Sequence, residues 1–198
     1  HAPLVEMKKL AKHGYKNYDF LLSYAILEAL LVHDASLIVE LLSDSDRPTN
    51  WVTLIDCHDG IPVQPDMNGV LDKDRMVETI NKTEENGAIF SALHSVEKAY
   101  EDAPNVHQIC GALYSLLGED DDAFVSARAI QLFAPGTPQI YYEGLLGGTH
   151  CREGYERTKD GRELNRRNYS REEVAEAVKR PRAQRILNLI RYRKDRTF

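Results

Sequence analysis

Residues 51–60 read W-V-T-L-I-D-C-H-D-G, and the change of chemistry within those ten residues limits the fold more than any other stretch of the chain. Val52, Thr53, Leu54 and Ile55 form a β-branched and aliphatic run without alternation, the pattern of a parallel strand covered on both faces. Gly60 and Pro62 stop it. Between the run and its stop lie Asp56, His58 and Asp59, three ionisable groups in four residues, which places polar chemistry at a strand tip facing a cleft. In α/β folds with parallel strands, ligands bind at the carboxyl ends of the strands, so this position points to a sugar, phosphate or metal site. The plain structural alternative is a capped turn, with Asp59 accepting backbone amides and His58 a satisfied neighbour.

Length and composition narrow the classes. With 198 residues, 42% of them hydrophobic, the chain suits one globular domain or a piece of a larger one. A net charge of -6, with Lys and Arg dispersed until the C-terminal third, argues against a nucleic-acid partner. The apolar stretch 20–42 is interrupted by Glu28, His33, Asp34 and Glu40, so it is too polar for a membrane span and reads as a buried amphipathic helix. No membrane association is expected. Cys57, Cys110 and Cys151 are odd in number and far apart, which matches neither a disulfide framework nor a zinc pattern and gives a cytoplasmic expectation.

Apolar spacing of three to four predicts one long helix over residues 18–42, with Asp19 near its start where an acidic group suits the dipole. Further helices are expected over 72–85, over 120–133 behind the acidic run 119–122, over 170–179 with Ser170 and Glu173 as a capping box, and from Pro181 to about Arg193. Strands are expected at 52–55 and 138–142, the second followed by a flexible G-L-L-G-G at 144–148. The stretch 60–104 reads as a long functional loop. Helix and strand alternate as in a parallel α/β sheet, but two buried-type parallel strands need neighbours on both sides. The expected fold class is therefore α/β, the C-terminal portion of a (β/α)₈ TIM barrel with long βα loops, and residues 1–198 are expected to be a partial catalytic barrel domain.

Ordered motifs at compatible spacings carry a resemblance. D-C-H-D-G at 56–60, A-P-G-T-P-Q-I-Y-Y-E-G-L-L-G-G at 134–148 and G-R-E-L-N-R-R-N-Y-S at 161–170 resemble the sucrose phosphorylase group of the alpha-amylase family of glycoside hydrolases. Y-D-F at 18–20 and Y-S-L-L-G-E-D-D-D at 114–122 fit the same group, so the resemblance runs across nearly the whole chain. It implies a (β/α)₈ barrel and a double displacement with retention. An Asp on the fourth strand attacks the anomeric carbon, a Glu on the fifth is acid and then base, and a second Asp after the seventh stabilises the strained glucosyl unit. Only the last has a match, Asp59, with His58 expected to hydrogen-bond the same sugar as its ring flattens toward an oxocarbenium-like state. The family's acid sits in an E-I-H segment whose His falls on His1, so acid and nucleophile are expected upstream and the chain alone is expected to be inactive. The resemblance also implies carbohydrate and inorganic phosphate as small-molecule partners, phosphate being a co-substrate, with no metal or organic cofactor. It implies no particular oligomeric state.

The acceptor side departs from the sucrose enzymes. Their loop L-D-L-Y-Q places Asp and Tyr on fructose and Gln near the glucosyl unit; here residues 104–108 read P-N-V-H-Q. Asn105 replaces the acid, His107 replaces the aromatic and Gln108 is retained. Losing a negative charge and gaining a potential cation favours an anionic acceptor. Glucosylglycerate is the leading expected substrate, with sucrose 6-phosphate and glucosylglycerol behind it. Gln64 and Asp66 also depart from the sucrose enzymes. Arg166 matches the family's acceptor-site arginine and would pair with phosphate or carboxylate; its alternative is a surface Arg beside Arg162 and Arg167. For His107 the alternative is a structural loop histidine. Glu6 and Glu28 are expected on solvated helix faces, and Glu143 is expected to be a supporting residue. Two other functions are compatible with these residues: a non-catalytic sugar-binding remnant, and a hydrolase or transglucosidase of the same family.

Overall fold

The computed structural model describes residues 3–63, 71–92 and 106–196. In chain order the elements are α1 (Leu4–Lys12), α2 (Phe20–Val32), α3 (Ser36–Ser43), β1 (Val52–Thr53), β2 (Ile61–Pro62), α4 (Lys73–Glu85), β3 (Ile89–Ala92), β4 (Val106–Cys110), α5 (Leu113–Leu116), α6 (Asp121–Phe133), β5 (Thr137–Pro138), α7 (Tyr142–Leu146), α8 (Arg152–Thr158), a 3₁₀ helix (Gly161–Asn165), α9 (Arg171–Lys179) and α10 (Pro181–Lys194). The fold is mixed α/β.

Three parallel passes of the chain lie side by side. β1 pairs with β5 in the register Val52↔Thr137 and Thr53↔Pro138, and Tyr18 bridges Val52 from the other side. The ladder runs from Val52 N to the Asn17 carbonyl (2.8 Å), from Thr137 N to the Trp51 carbonyl (2.8 Å) and from Gln139 N to the Thr53 carbonyl (2.8 Å). β1 is shorter than the expected 52–55, although Leu54 and Ile55 are buried as expected of that run. β5 ends at Pro138, and residues 142–146 of the expected strand and flexible loop form helix α7 instead.

A second sheet, antiparallel in the order β2-β4-β3, arises within and just beyond the stretch read as a long loop. Its strands pair Ile61 with Ile109 and Phe90 with Ile109. β2 is two residues long and contains a proline, and β4 carries polar His107 and Gln108 side by side, so neither shows an alternating pattern of its own. Each strand exists because a remote partner completes it.

The expected helix over 18–42 is two helices. Asp19 caps α2 by accepting from Leu22 N (3.1 Å), and its carboxylate also pairs with Arg47. At the other end His33 takes a left-handed φ of 60° and Asp34 Oδ1 accepts from Ser36 N (2.8 Å), which restarts the chain as α3. Arg75 of α4 fixes the break through Asp34 Oδ2 (2.8 Å). α2 is not amphipathic either: Leu22, Tyr24, Ala25, Ile26 and Leu27 all have no exposed surface, so the helix is buried around most of its circumference. It packs on α3, α4, α6 and β2. Glu28 lies on that buried helix rather than on a solvated face. Burial raises its pKa, opposed by Arg75 at 3.7 Å. Glu6 is exposed as expected.

The remaining helix ends follow their caps. Asp72 accepts from Arg75 N, Asp120 from Asp122 N and Ala123 N, and Ser170 with Glu173 closes both halves of a capping box. Pro181 opens α10. Among the described residues no helix is long and apolar enough to cross a membrane.

Candidate functional site

The tip of β1 is built from the inside outward. Gln131 of α6 joins the ends of the two strands, donating from Nε2 to the carbonyls of Thr53 (3.0 Å) and Gln139 (2.7 Å). Arg128, one turn earlier, has no exposed surface; it donates to Gln131 Oε1 (2.9 Å) and to Asp56 Oδ2 (2.6 Å). Asp56 is thus a buried ion-pair partner and does not face a cleft, which corrects the expectation that all three ionisable groups at 56–59 point outward. Gly144 leaves room for this pair: a Cβ there would lie 1.7 Å from Arg128 Nη2 and 1.9 Å from Asp56 Oδ2. The glycines of G-L-L-G-G therefore serve close approach rather than flexibility. Glu143 is buried behind the same layer, accepts from the Tyr169 hydroxyl (3.0 Å), and is pushed up to about 7, chiefly by burial, with Asp56 adding to the rise.

Beyond Asp56 the backbone turns outward and is held by two consecutive residues. Asn165 donates from Nδ2 to the carbonyls of Cys57 (2.8 Å) and Asp59 (3.1 Å), and Arg166 donates from Nε to the carbonyl of His58 (2.7 Å). With all three carbonyls engaged, the turn is fixed while two of its side chains stay accessible: His58 is 69% and Asp59 36% exposed. The two oxygens of Asp59 face different partners. Oδ1 lies 3.5 Å from Arg162 Nη1 and 3.4 Å from Arg166 Nη2, and Oδ2 lies 3.4 Å from His58 Nε2. These are long, solvent-screened contacts that a ligand can replace at little cost.

Gly60 seats the turn on the second sheet. A Cβ there would come within 2.7 Å of the Ile109 carbonyl and 2.9 Å of Gln108 Cβ, so Gln108 stands directly beside the turn. His107, its neighbour in β4, is half-buried, and its carbonyl accepts from Val63 N (3.1 Å). Asn105, Gln64 and Asp66 lie outside the described residues. His58, Asp59, Arg166 and Gln108 are therefore brought together. Two residues of the site were not singled out in the sequence. Arg162 was seen only as a basic neighbour of Arg166; it is the 3₁₀ helix Gly161–Asn165 and the turn after it that bring both guanidiniums to Asp59. Asn165 gave no signal beyond its place in the same motif.

On the other side of Arg166 is a cavity of about 330 Å³ lined by Arg152, Arg157, Glu163, Arg167, Glu173 and their neighbours; His58 and Asp59 do not line it. His150 borders it as a structural tie. Its Nδ1 accepts from Ala112 N (3.0 Å), its Nε2 faces the Asn86 carbonyl (3.1 Å), and burial lowers its pKa to about 4, so the ring is neutral at ordinary pH.

Chemically, the turn offers a carboxylate and an imidazole for the hydroxyl groups of a polyol and negative charge for a developing cation, with guanidiniums beside them for an anion. Retaining glycosidic cleavage also needs a nucleophile and an acid/base, two carboxyl groups roughly 5–5.5 Å apart. Neighbouring carboxylates among the described residues are engaged elsewhere, Asp56 with Arg128, Asp160 with Arg162, and Glu163 with Arg157 and Arg166.

Comparison with known proteins gives a consistent set of relatives. The chain is 42% identical over 195 residues to sucrose 6(F)-phosphate phosphorylase of Thermoanaerobacterium thermosaccharolyticum, covering 98% of this chain and 40% of that protein. It is 40% identical over 185 residues to sucrose phosphorylase of Streptococcus mutans, covering 93% of this chain and 37% of that protein. The crystal structure of sucrose 6F-phosphate phosphorylase from Thermoanaerobacter thermosaccharolyticum superposes with a TM-score of 0.91 at 42% identity, over 98% of this chain and 39% of that one. The chain spans about two-fifths of the length of the relatives it matches. No protein-family model matches it.

Proposed function

We propose that this chain, 42% and 40% identical over nearly its whole length to a sucrose 6(F)-phosphate phosphorylase and a sucrose phosphorylase, is the C-terminal part of the catalytic barrel of a retaining α-glucoside phosphorylase of the alpha-amylase family. In this reading Tyr18, β1 and β5 belong to the last three strands of a (β/α)₈ barrel, and residues 1–198 form a partial domain that carries neither the nucleophile nor the general acid. The observation that carries the reading is the turn 57–59, fixed at three carbonyls by Asn165 and Arg166 and leaving His58 and Asp59 accessible.

The proposed roles follow from the charges. As the glycosidic bond breaks, the glucosyl ring becomes positive, and the Asp59 carboxylate stabilises that charge more than it stabilises the neutral substrate. His58 and Gln108 hydrogen-bond the same sugar. A phosphate oxygen then attacks the anomeric carbon of the glucosyl-enzyme, the enzyme's nucleophilic carboxylate departs, and α-glucose 1-phosphate is released, without metal or organic cofactor. Arg166 serves the phosphate or an acidic acceptor, and Asn105 and His107 set acceptor preference. The partners are small molecules, and the three free cysteines favour a reducing, cytoplasmic setting.

Among acceptors, the 42% identity to a sucrose 6(F)-phosphate phosphorylase and the two guanidiniums beside Asp59 move fructose 6-phosphate ahead of glycerate, which the loop sequence alone put first. Both are anionic. The test is an acceptor screen of the full-length protein with α-glucose 1-phosphate as donor. Phosphate release with fructose 6-phosphate or glycerate, exceeding that with fructose or glycerol, is the expected outcome. The double variant Asn105→Asp/His107→Tyr should shift preference toward fructose. Water as the favoured acceptor would make the protein a hydrolase, and no turnover with any acceptor would favour a sugar-binding remnant.

A further inference from the structure

The turn that presents Asp59 and His58 also places beside them Cys57, a thiol for which glucosyl binding has no use. The ligating atoms of Cys57, His58 and Asp59 all lie within 4.8 Å of one another. Asp59 Oδ2 already faces His58 Nε2 at 3.4 Å, while the two guanidiniums approach the other oxygen. Cys57 is a free, half-buried thiol at the inner end of the set. The bonds from Asn165 and Arg166 to the carbonyls of residues 57, 58 and 59 fix the backbone of all three donors before any ligand arrives.

A thiolate, an imidazole and a carboxylate with one position open to solvent match the ligand preferences of Zn²⁺, which takes sulfur at about 2.3 Å, nitrogen at about 2.0–2.1 Å and oxygen at about 2.0–2.2 Å in a tetrahedron. Donors on such an ion lie roughly 3.3–3.8 Å apart. The donors, now within 4.8 Å of one another, must draw together on the ion through side-chain rotation, for which the exposed His58 ring has room. Arg162 and Arg166 oppose ions held by charge alone, so the set selects a soft cation bound through sulfur over Mg²⁺ or Ca²⁺.

We propose that Cys57, His58 and Asp59 form an inhibitory site for a soft divalent cation of the Zn²⁺ class, occupancy of which blocks the face proposed above for the glucosyl unit. Binding replaces the thiol proton by the metal and releases that proton to solvent. The inhibition rests on the proposed function; the binding does not.

Two readouts on the full-length protein separate these parts. Co²⁺ titrated into metal-free protein should produce a thiolate-to-metal charge-transfer band that Zn²⁺ removes by displacement. The band should be lost in Cys57→Ser and kept in Cys110→Ser. Zn²⁺ should inhibit transfer from α-glucose 1-phosphate in phosphate-free buffer, reversibly with a chelator, and Cys57→Ser should keep basal turnover while needing about 10-fold more Zn²⁺ or beyond for the same inhibition. An unchanged unfolding midpoint verifies the fold of that variant, and Cys57→Ala supplies a second one. A missing band, or one that survives in Cys57→Ser, overturns the site. A band that behaves as expected with turnover indifferent to Zn²⁺ overturns the inhibition and tells against a hexose at this turn.

Discussion

Replacing Asp59 with Asn in the full-length protein is expected to lower kcat by roughly 10²–10³-fold, the loss typical of removing one preorganised group that stabilises transition-state charge. The substitution keeps the shape of the side chain, removes its charge and turns one acceptor oxygen into an NH2 donor, so the sugar should still bind while its cation-like form loses its counter-charge. Stability should be nearly unchanged. The carboxylate is 36% exposed, its contacts with Arg162 and Arg166 are 3.5 and 3.4 Å long, and pairs of that kind contribute about 0–1 kcal/mol. Steady-state kinetics with α-glucose 1-phosphate together with an unfolding midpoint separate the two effects. Turnover within a few-fold of the parent protein would remove Asp59 from the mechanism.

The second large effect concerns the layer beneath. Arg128→Met in the full-length protein should destabilise the fold by about 3–5 kcal/mol, because it leaves the Asp56 carboxylate buried without its counter-ion. Asp56 is 5% exposed and Arg128 is fully buried, so water cannot substitute for the missing partner. The same change frees Gln131 Oε1, whose residue bridges β1 and β5, and so reaches the parallel strands directly. Removing both charges, as in Asp56→Leu/Arg128→Met, should recover most of the loss, since an apolar pair of similar volume is often no worse than a buried ion pair. Denaturant unfolding of the two variants gives the comparison. A single Arg128→Met that costs no more than a surface substitution, about 0.5 kcal/mol, would mean that the pair contributes little.

These two residues also show what could be read from the sequence. His58, Asp59 and Arg166 were legible because their motifs are local and ordered, and the structure brings the three side chains to one turn. Helix starts at Asp72, Asp120, Ser170 and Pro181 were legible for the same reason: a cap is settled by residues one turn apart. Asp56 was misread because its partner lies 72 residues further along the chain, and nothing within D-C-H-D-G distinguishes the inward acid from the outward one. The G-L-L-G-G run looked flexible for an analogous reason, as the Asp56–Arg128 pair that requires Gly144 is invisible to a local pattern. β2, β3 and β4 went unread because each takes its stability from a remote strand. The break at His33–Asp34 escaped notice because apolar spacing continues across it, whereas the tie that fixes it comes from Arg75.

A crystal structure of the full-length protein with α-glucose 1-phosphate bound tests the role of the 57–59 turn most directly. The expected result is a hexose with its hydroxyl groups about 2.7–3.2 Å from a carboxylate oxygen of Asp59 and from His58 Nε2, with Arg166 turned toward the phosphate or acceptor side. A hexose bound elsewhere, with Asp59 still lying between Arg162 and Arg166, would contradict it.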